Sequence, residues 1–210
     1  MFTGLIRHLG TLDARRARPG GAVVRIGADG DLLARAEPGA SIAVNGACLT
    51  AVARDEGAFE AELSEETLQK TLFGRMALGS TLHLEPSLRL GDPIDGHLVS
   101  GHVDGVGRLL EKPALEGLWR FAMPSEMAPL CASKGSIAVD GISLTVVECG
   151  RDWFTVAVIP ETVKRTRFSA LAVGSEVHLE GDPVGRYVAR HLALRAGEAN
   201  LARFAQQGWA

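Results

Sequence analysis

Apolar positions along this chain recur mostly in short alternating runs. Ile42 and Val44, Leu82 and Leu84, and Val177 and Leu179 alternate with smaller or polar neighbours. Period-2 alternation of this kind predicts half-buried β-strands. Ala22–Ile26, Leu49–Arg54 and Thr155–Ile159 also read as strands. Turn signals punctuate these runs at Pro19-Gly20-Gly21, Pro38-Gly39, Asn45-Gly46, Glu56-Gly57 and Asp140-Gly141. Asn45-Gly46 and Asp140-Gly141 lie between apolar runs, the strongest short-range hairpin signal. Three segments read as helix instead. Asp31–Ala36 is short and is stopped by Pro38-Gly39. Ser64 caps a second that runs through Lys70, with Glu65 and Glu66 in its first turn, where negative charge is favoured. The third spans about Arg186 to Ala205. Its spacing puts Tyr187, His191, Leu194 and Leu201 near one face, with Val188, Leu192 and Phe204 alongside. Gly197 weakens it by about 1 kcal/mol relative to Ala.

The pattern occurs twice. Ser41–Thr50 reads Ser-Ile-Ala-Val-Asn-Gly-Ala-Cys-Leu-Thr, and Ser136–Thr145 reads Ser-Ile-Ala-Val-Asp-Gly-Ile-Ser-Leu-Thr. At the same offset Glu66–Thr71 matches Glu161–Thr166, and Gly79–Glu85 matches Gly174–Glu180. Met1-Phe2-Thr3-Gly4 matches Leu98-Val99-Ser100-Gly101 with a two-residue shift. The period is domain-sized, well beyond the roughly 20 to 50 residues of a solenoid or propeller repeat. Two homologous domains are expected, residues 1–97 and 98–186, followed by a tail, 187–210, that has no counterpart after the first domain. Many short strands per repeat predict a small closed barrel in each half. The lone tail helix covers its own domain or meets other subunits.

Composition narrows the function. The chain has 210 residues and a net charge of −3, so it lacks the basic footprint of a nucleic-acid binder. No run of eighteen apolar residues predicts a membrane span, and the start Met1–Arg7 lacks the features of a signal peptide. Cys48, Cys131 and Cys149 cannot all pair within one chain, so they are expected reduced, in the cytoplasm.

Candidate chemistry lies where the halves differ. Gly96–Gly105, the joint between the domains, carries His97 and His102 among glycines. His102 stands where the first half has Leu5, which suggests a role in one half only. The other histidines, His8, His83, His178 and His191, show no ligand spacing, and no cysteine cluster supports a metal site. Cys48 faces Ser143, Asn45 faces Asp140 and Gly39 faces Lys134 across the repeat. Cys48 reads as a small core residue or as a ligand-facing thiol beside a tight turn. Ser41, Thr50, Ser136 and Thr145 read equally as ordinary strand hydroxyls, and Glu66-Thr67 and Glu161-Thr162 as helix-start residues.

Met1-Phe2-Thr3-Gly4, Asn45–Thr50, Gly96–Gly105, Asp140–Val146 and Ile159–Thr162 together closely resemble the riboflavin synthase family, the alpha-chain type with two lumazine-binding repeats. The resemblance covers nearly the whole chain, with the motifs in order. It implies an all-β fold of two tandem six-stranded Greek-key barrels plus a C-terminal α-helix that drives a homotrimer. It implies conversion of two molecules of 6,7-dimethyl-8-ribityllumazine, by transfer of a four-carbon unit, into riboflavin and a ribitylamino-pyrimidinedione. No metal or other cofactor takes part. The family's site lies between the N-terminal barrel of one subunit and the C-terminal barrel of another, and an association with lumazine synthase is a further expectation. Carried over by motif, Ser41, Cys48, His102, Asp140, Ser143 and Asp182 are the expected catalytic residues. Expected to bind substrate are Gly4, Leu5, Ile6, Cys48, Leu49, Thr50, Glu62, Glu66 and Thr67 in the first half. From the second half come Gly101, His102, Val103, Lys134, Ser143, Leu144, Thr145, Ile159, Pro160, Glu161 and Thr162.

The chain departs from the family pattern at Leu72-Phe73, His83, Pro86-Ser87, Asp95 and His178. Two rival readings are a non-catalytic lumazine- or flavin-binding protein and a purely structural barrel pair. Retention of Cys48, His102 and Ser143 argues against the first.

Overall fold

A computed structural model describes residues 1–113 and 117–206, with side chains described as far as 195. The first half contains β1 (His8–Arg18), β2 (Gly21–Gly27), α1 (Gly30–Leu33), β3 (Ser41–Val44), β4 (Ala47–Arg54), β5 (Ala58–Ser64), α2 (Glu65–Lys70) and β6 (Thr81–Pro86). The second half contains β7 (Gly105–Glu111), β8 (Leu118–Ala122), β9 (Ser136–Val139), β10 (Ile142–Cys149), β11 (Trp153–Ala157), α3 (Pro160–Arg165) and β12 (Glu176–Gly181). Helix α4 (Pro183–Gln206) follows. Each half closes into an antiparallel barrel with one spatial order, β1-β2-β5-β4-β3-β6 and β7-β8-β11-β10-β9-β12. In each, three successive strands pair as neighbours and the last returns beside the first of them, a Greek key. Ladder irregularities recur at matched places, Leu12/Ala14 with Leu109/Glu111 and Ala51/Ala53 with Val146/Glu148. Such bulges bend strands into closure.

The predicted hairpins form. Asn45 (φ 44) with Gly46 (φ 80), and Asp140 (φ 47) with Gly141 (φ 81), make two-residue turns with positive φ at both centres. This is the type I′ geometry that matches strand twist. Ser64 caps α2 by accepting from Thr67 N at 3.1 Å.

Two local expectations need correction. The first helix begins at Gly30 rather than Asp31, because Asp29 caps it by accepting from Leu32 N at 2.8 Å. Its last turn tightens into Arg35 N→Leu32 O and Ala36 N→Leu33 O bonds, so the α-helix ends at Leu33. The expected strand Thr155–Ile159 is Trp153–Ala157. Pro160, with its fixed φ and no N–H to donate, opens α3 and leaves Ile159 as the extended residue before it. Helix α4 starts at Pro183 for the same reason, with Asp182 Oδ1 accepting from Val184 N at 2.8 Å.

Each barrel has its own core. The first buries Leu12, Val24, Ile26, Phe59, Leu63 and Leu82. The second is richer in aromatic rings: Trp119 stacks on Phe168 and Phe121 on Phe154, both at 5.4 Å between centroids.

The barrels meet across a pseudo-twofold seam. At its centre the two hairpin turns touch: a Cβ on Gly46 would lie 2.7 Å from Gly141 N. His83 Nδ1 reaches Asp140 O and His178 Nδ1 reaches Asn45 O, each at 2.9 Å. Because a carbonyl only accepts, each Nδ1 carries the proton. Each Nε2 therefore accepts, from Arg167 N at 2.9 Å and from Leu72 N at 2.8 Å. Both rings are thus neutral in the fold. Burial pushes His178 down and takes His83 to about 4.

Candidate active site

The leader segment of each half crosses to the other barrel. Phe2 and Val99 bridge one another antiparallel. Beyond that bridge, Gly101 O accepts from Cys48 N at 2.8 Å and Gly4 O accepts from Ser143 N at 2.9 Å. Val103 packs against the first core, and Ile6 against the second. Gly101 has φ +85, and a Cβ there would lie 2.5 Å from Cys48 Cβ. Gly4 has φ +75, and a Cβ there would lie 2.6 Å from Ser143 N. Only glycine meets both demands, left-handed backbone and direct contact.

A cleft of about 230 Å³ opens at the Cys48 end of the first barrel. Its lining includes Cys48, Glu66 and Thr67 from the first half, and Gly101, His102 and Val103 from the second. Strand alternation explains the arrangement. Cys48 and Thr50 point outward from β4 while Leu49 enters the core. Ser41 pairs with Thr50 on the same outer face, beyond the cleft lining. Lys70 and Thr71, which the motifs did not single out, complete the wall.

The second barrel repeats the layout with different chemistry. Ser143 and Thr145 face outward from β10, and Leu144 goes inward. Ser143 is covered by the joint: a Cβ on Gly96 would lie 2.9 Å from Ser143 Cβ, and His97 Nδ1 lies 2.7 Å from Ser143 Oγ. Burial lowers the His97 pKa, opposed by the nearby charge of Asp182. A neutral imidazole on a serine hydroxyl can draw its proton. His97 is the functional candidate that residue-by-residue matching missed. Its signal was present in the sequence as the first of two histidines in a glycine-rich joint.

Other expected site residues lie elsewhere. The Asp140 side chain is fully buried at the seam, where Oδ1 accepts from His178 N at 2.8 Å and Oδ2 pairs with Arg167. That environment holds the turn against β12 and Arg167. Leu49 and Leu144 are core side chains, leaving only their backbone to face a ligand. Glu62 pairs with Arg18 at 2.8 Å, and Glu161 pairs with Arg165. Lys134 is exposed and holds φ 67 where the first half has Gly39. Ile159 and Pro160 are exposed at the start of α3, and Thr162 is half-buried within it. Among the described residues no group of three or more His, Cys, Asp or Glu side chains could hold a metal ion.

Comparison with known proteins agrees with this geometry. The lumazine binding domain family matches residues 3–87 and again 100–182. Riboflavin synthase of Mycobacterium bovis is 42% identical over 198 residues, spanning 90% of this chain and 97% of its own. Riboflavin synthase of Actinobacillus pleuropneumoniae is 38% identical over 200 residues, spanning 94% and 93%. That of Bacillus subtilis is 34% identical over 194 residues, spanning 91% and 90%. Crystal structures of LumP complexed with 6,7-dimethyl-8-(1'-D-ribityl) lumazine and with riboflavin superpose with TM-scores of 0.76 and 0.78. Each is 20% identical and covers 86% of this chain and 99% of its own, a likeness of fold. With both repeats matched end to end and relatives of that identity across its length, the chain belongs to the riboflavin synthase family.

Proposed function

We infer that this chain is a riboflavin synthase, a transferase. It converts two molecules of 6,7-dimethyl-8-ribityllumazine into riboflavin and 5-amino-6-(ribitylamino)pyrimidinedione. The observation that carries the reading is the pair of barrel mouths, each closed by the other half's leader and each presenting a small nucleophilic side chain, Cys48 or Ser143, at the same place. Two related mouths suit two copies of one substrate, and their different side chains suit a donor and an acceptor.

The chemistry follows from what each mouth offers. The C7 methyl of the lumazine is acidic because its carbanion delocalises into the ring, so a base within about 3 Å suffices to remove a proton. His97, neutral and hydrogen-bonded to Ser143 Oγ, is the described group best arranged to accept that proton through the hydroxyl. At the first mouth Cys48 can add to the ring carbon of the second lumazine, with His102 beside it. Holding the two rings in register supplies several kcal/mol of the barrier in its own right.

The two rings meet, in this reading, between the first barrel of one subunit and the second barrel of another, in a trimer built by α4. The exposure of Tyr187 (76%), Leu192 (60%) and Leu194 (50%) on α4 supports an assembly role. Leu201 and Phe204, the rest of the expected apolar face, lie outside the described side chains. We place the enzyme in the cytoplasm, associated with lumazine synthase. Among the described residues no helix is long and apolar enough to cross a membrane.

The test is direct. The protein incubated with 6,7-dimethyl-8-ribityllumazine alone is expected to form one riboflavin per two lumazines, with a chelator making no difference. A sample that binds the lumazine and stays coloured without consuming it would sink the catalytic reading.

A further inference from the structure

Two buried carboxylates have no part in the chemistry above, yet each gathers the leader of its own half. Glu85, on β6, accepts from Thr3 N at 2.7 Å, Thr3 Oγ1 at 2.7 Å and Gly4 N at 3.0 Å. Glu180, on β12, accepts from Ser100 N at 2.7 Å, Ser100 Oγ at 2.6 Å, Gly101 N at 2.9 Å and His102 N at 3.0 Å. Glu85 is 7% exposed and Glu180 is 2% exposed. Successive backbone N–H groups wrapped round one anion form a concave nest, here around a side chain of the protein itself.

The leaders cross, and so does the effect of each carboxylate. Glu180 stands in the wall of the second barrel, but the segment it holds lies on Cys48 of the first. Glu85 stands in the wall of the first barrel, but the segment it holds lies on Ser143. Thr3 O also accepts from His97 N at 3.2 Å, so Glu85 anchors the backbone on which His97 rests.

We propose that Glu85 and Glu180 are crossed positioning residues, Glu180 setting the mouth at Cys48 and Glu85 setting the mouth at Ser143 and His97. This deepens the lumazine reading, and its kinetic arm rests on that reading. Substitution by glutamine separates the two sites. A glutamine at 180 that turns its NH2 toward Ser100 strands Ser100 N alone, since the hydroxyl can accept instead, whereas one that turns it toward Gly101 and His102 strands two N–H groups. A glutamine at 85 can turn its NH2 toward Gly4 N alone and keep both Thr3 bonds. Each glutamine thus leaves at least one leader N–H without an acceptor and loosens the leader it holds.

The experiment uses the full chain and three readouts. Alkylation of Cys48 by iodoacetamide, followed by peptide mass, is expected to quicken on the order of tenfold in Glu180→Gln. In Glu85→Gln that rate should stay at the wild-type value. The His97 ring resonances should shift in Glu85→Gln and stay in place in Glu180→Gln. With lumazine, kcat/KM should fall in both variants. If Glu180→Gln fails to fold, Ser100→Ala removes one donor and should quicken Cys48 alkylation in the same sense, by less. Equal quickening in both variants, an effect confined to the carboxylate's own barrel, or no change at Cys48 in Glu180→Gln or Ser100→Ala overturns the proposal. Alkylation and resonance shifts read position without turnover, so they decide it even if wild-type protein forms no riboflavin.

Discussion

Cys48 and Ser143 hold equivalent places on β4 and β10, one under a leader and an open cleft, the other under a leader and a histidine. Equivalent substitutions should therefore not cost the same. Cys48→Ser keeps a donor but loses the nucleophilicity and polarisability of sulfur, and should slow turnover while leaving ligand binding largely intact. Ser143→Ala should slow it by a different factor, because it strands His97. Single-turnover rates set beside denaturation midpoints on the same variants check this; rates falling only as folded protein is lost would mean packing roles. His97 adds a pH signature. Its lowered pKa keeps the base neutral into mildly acid solution, so kcat/KM should hold until pH falls below the ordinary histidine range and then decline. His97→Gln should remove that limb. Matching the halves residue by residue picked out Cys48, Ser143 and His102, because a chemical difference at a repeated position is visible in sequence. Asp140, expected from the resemblance, is harder to read, because a carboxylate at a chain turn looks alike in sequence whether it faces solvent, substrate or, as here, a backbone N–H and a guanidinium across a seam.

At the scale of elements, the hairpins and α2 were legible because their residue types meet a local demand, positive φ at Asn45-Gly46 and Asp140-Gly141 and a capping oxygen at Ser64. The seam was not, because His83 and His178 act over 57 and 133 residues of chain and leave no periodic mark. Of the departures from the family pattern, Leu72-Phe73 and His178 prove to be neighbours, and His83 takes the place equivalent to His178 on the other side of the seam. Leu72 N donates to His178, and Phe73 packs edge-on against it at 5.3 Å. The pair makes an acid-sensitive joint. Folded His83 titrates at about 4 against an ordinary 6.5, so the unfolded chain binds the proton first. The stabilisation is complete above about 6.5 and is lost as pH falls toward 4, by about 3 kcal/mol for His83. Denaturant midpoints measured across that window should fall in the wild type. Replacing both histidines with asparagine should flatten the decline and lower the plateau above it, since the shorter side chain loses the second hydrogen bond.

For the molecule as a whole, the repeat announced two barrels and the unmatched tail announced a separate helix. Neither told which leader closes which barrel, since an exchange between equivalent halves preserves every local pattern. Removing residues beyond Tyr187 should give a monomer that still folds but turns over poorly, and sedimentation velocity distinguishes it from a trimer. Because each core includes a residue from the other half's leader, Ile6 or Val103, both barrels should melt in one transition. Two resolved calorimetric peaks would show them to be independent.

Order of synthesis gives the crossed leaders a different meaning. Met1–Ile6 is made before the first barrel, yet the strand that Gly4 rests on, with Ser143, is made well over a hundred residues later. The first barrel can close its own strands early, but Cys48 stays uncovered until Gly101 has been translated. The nascent chain thus carries an unseated apolar segment that includes Phe2 until the second barrel is made. Neither mouth is finished before the second barrel is, so a truncated translation product can hold a folded barrel without a complete site.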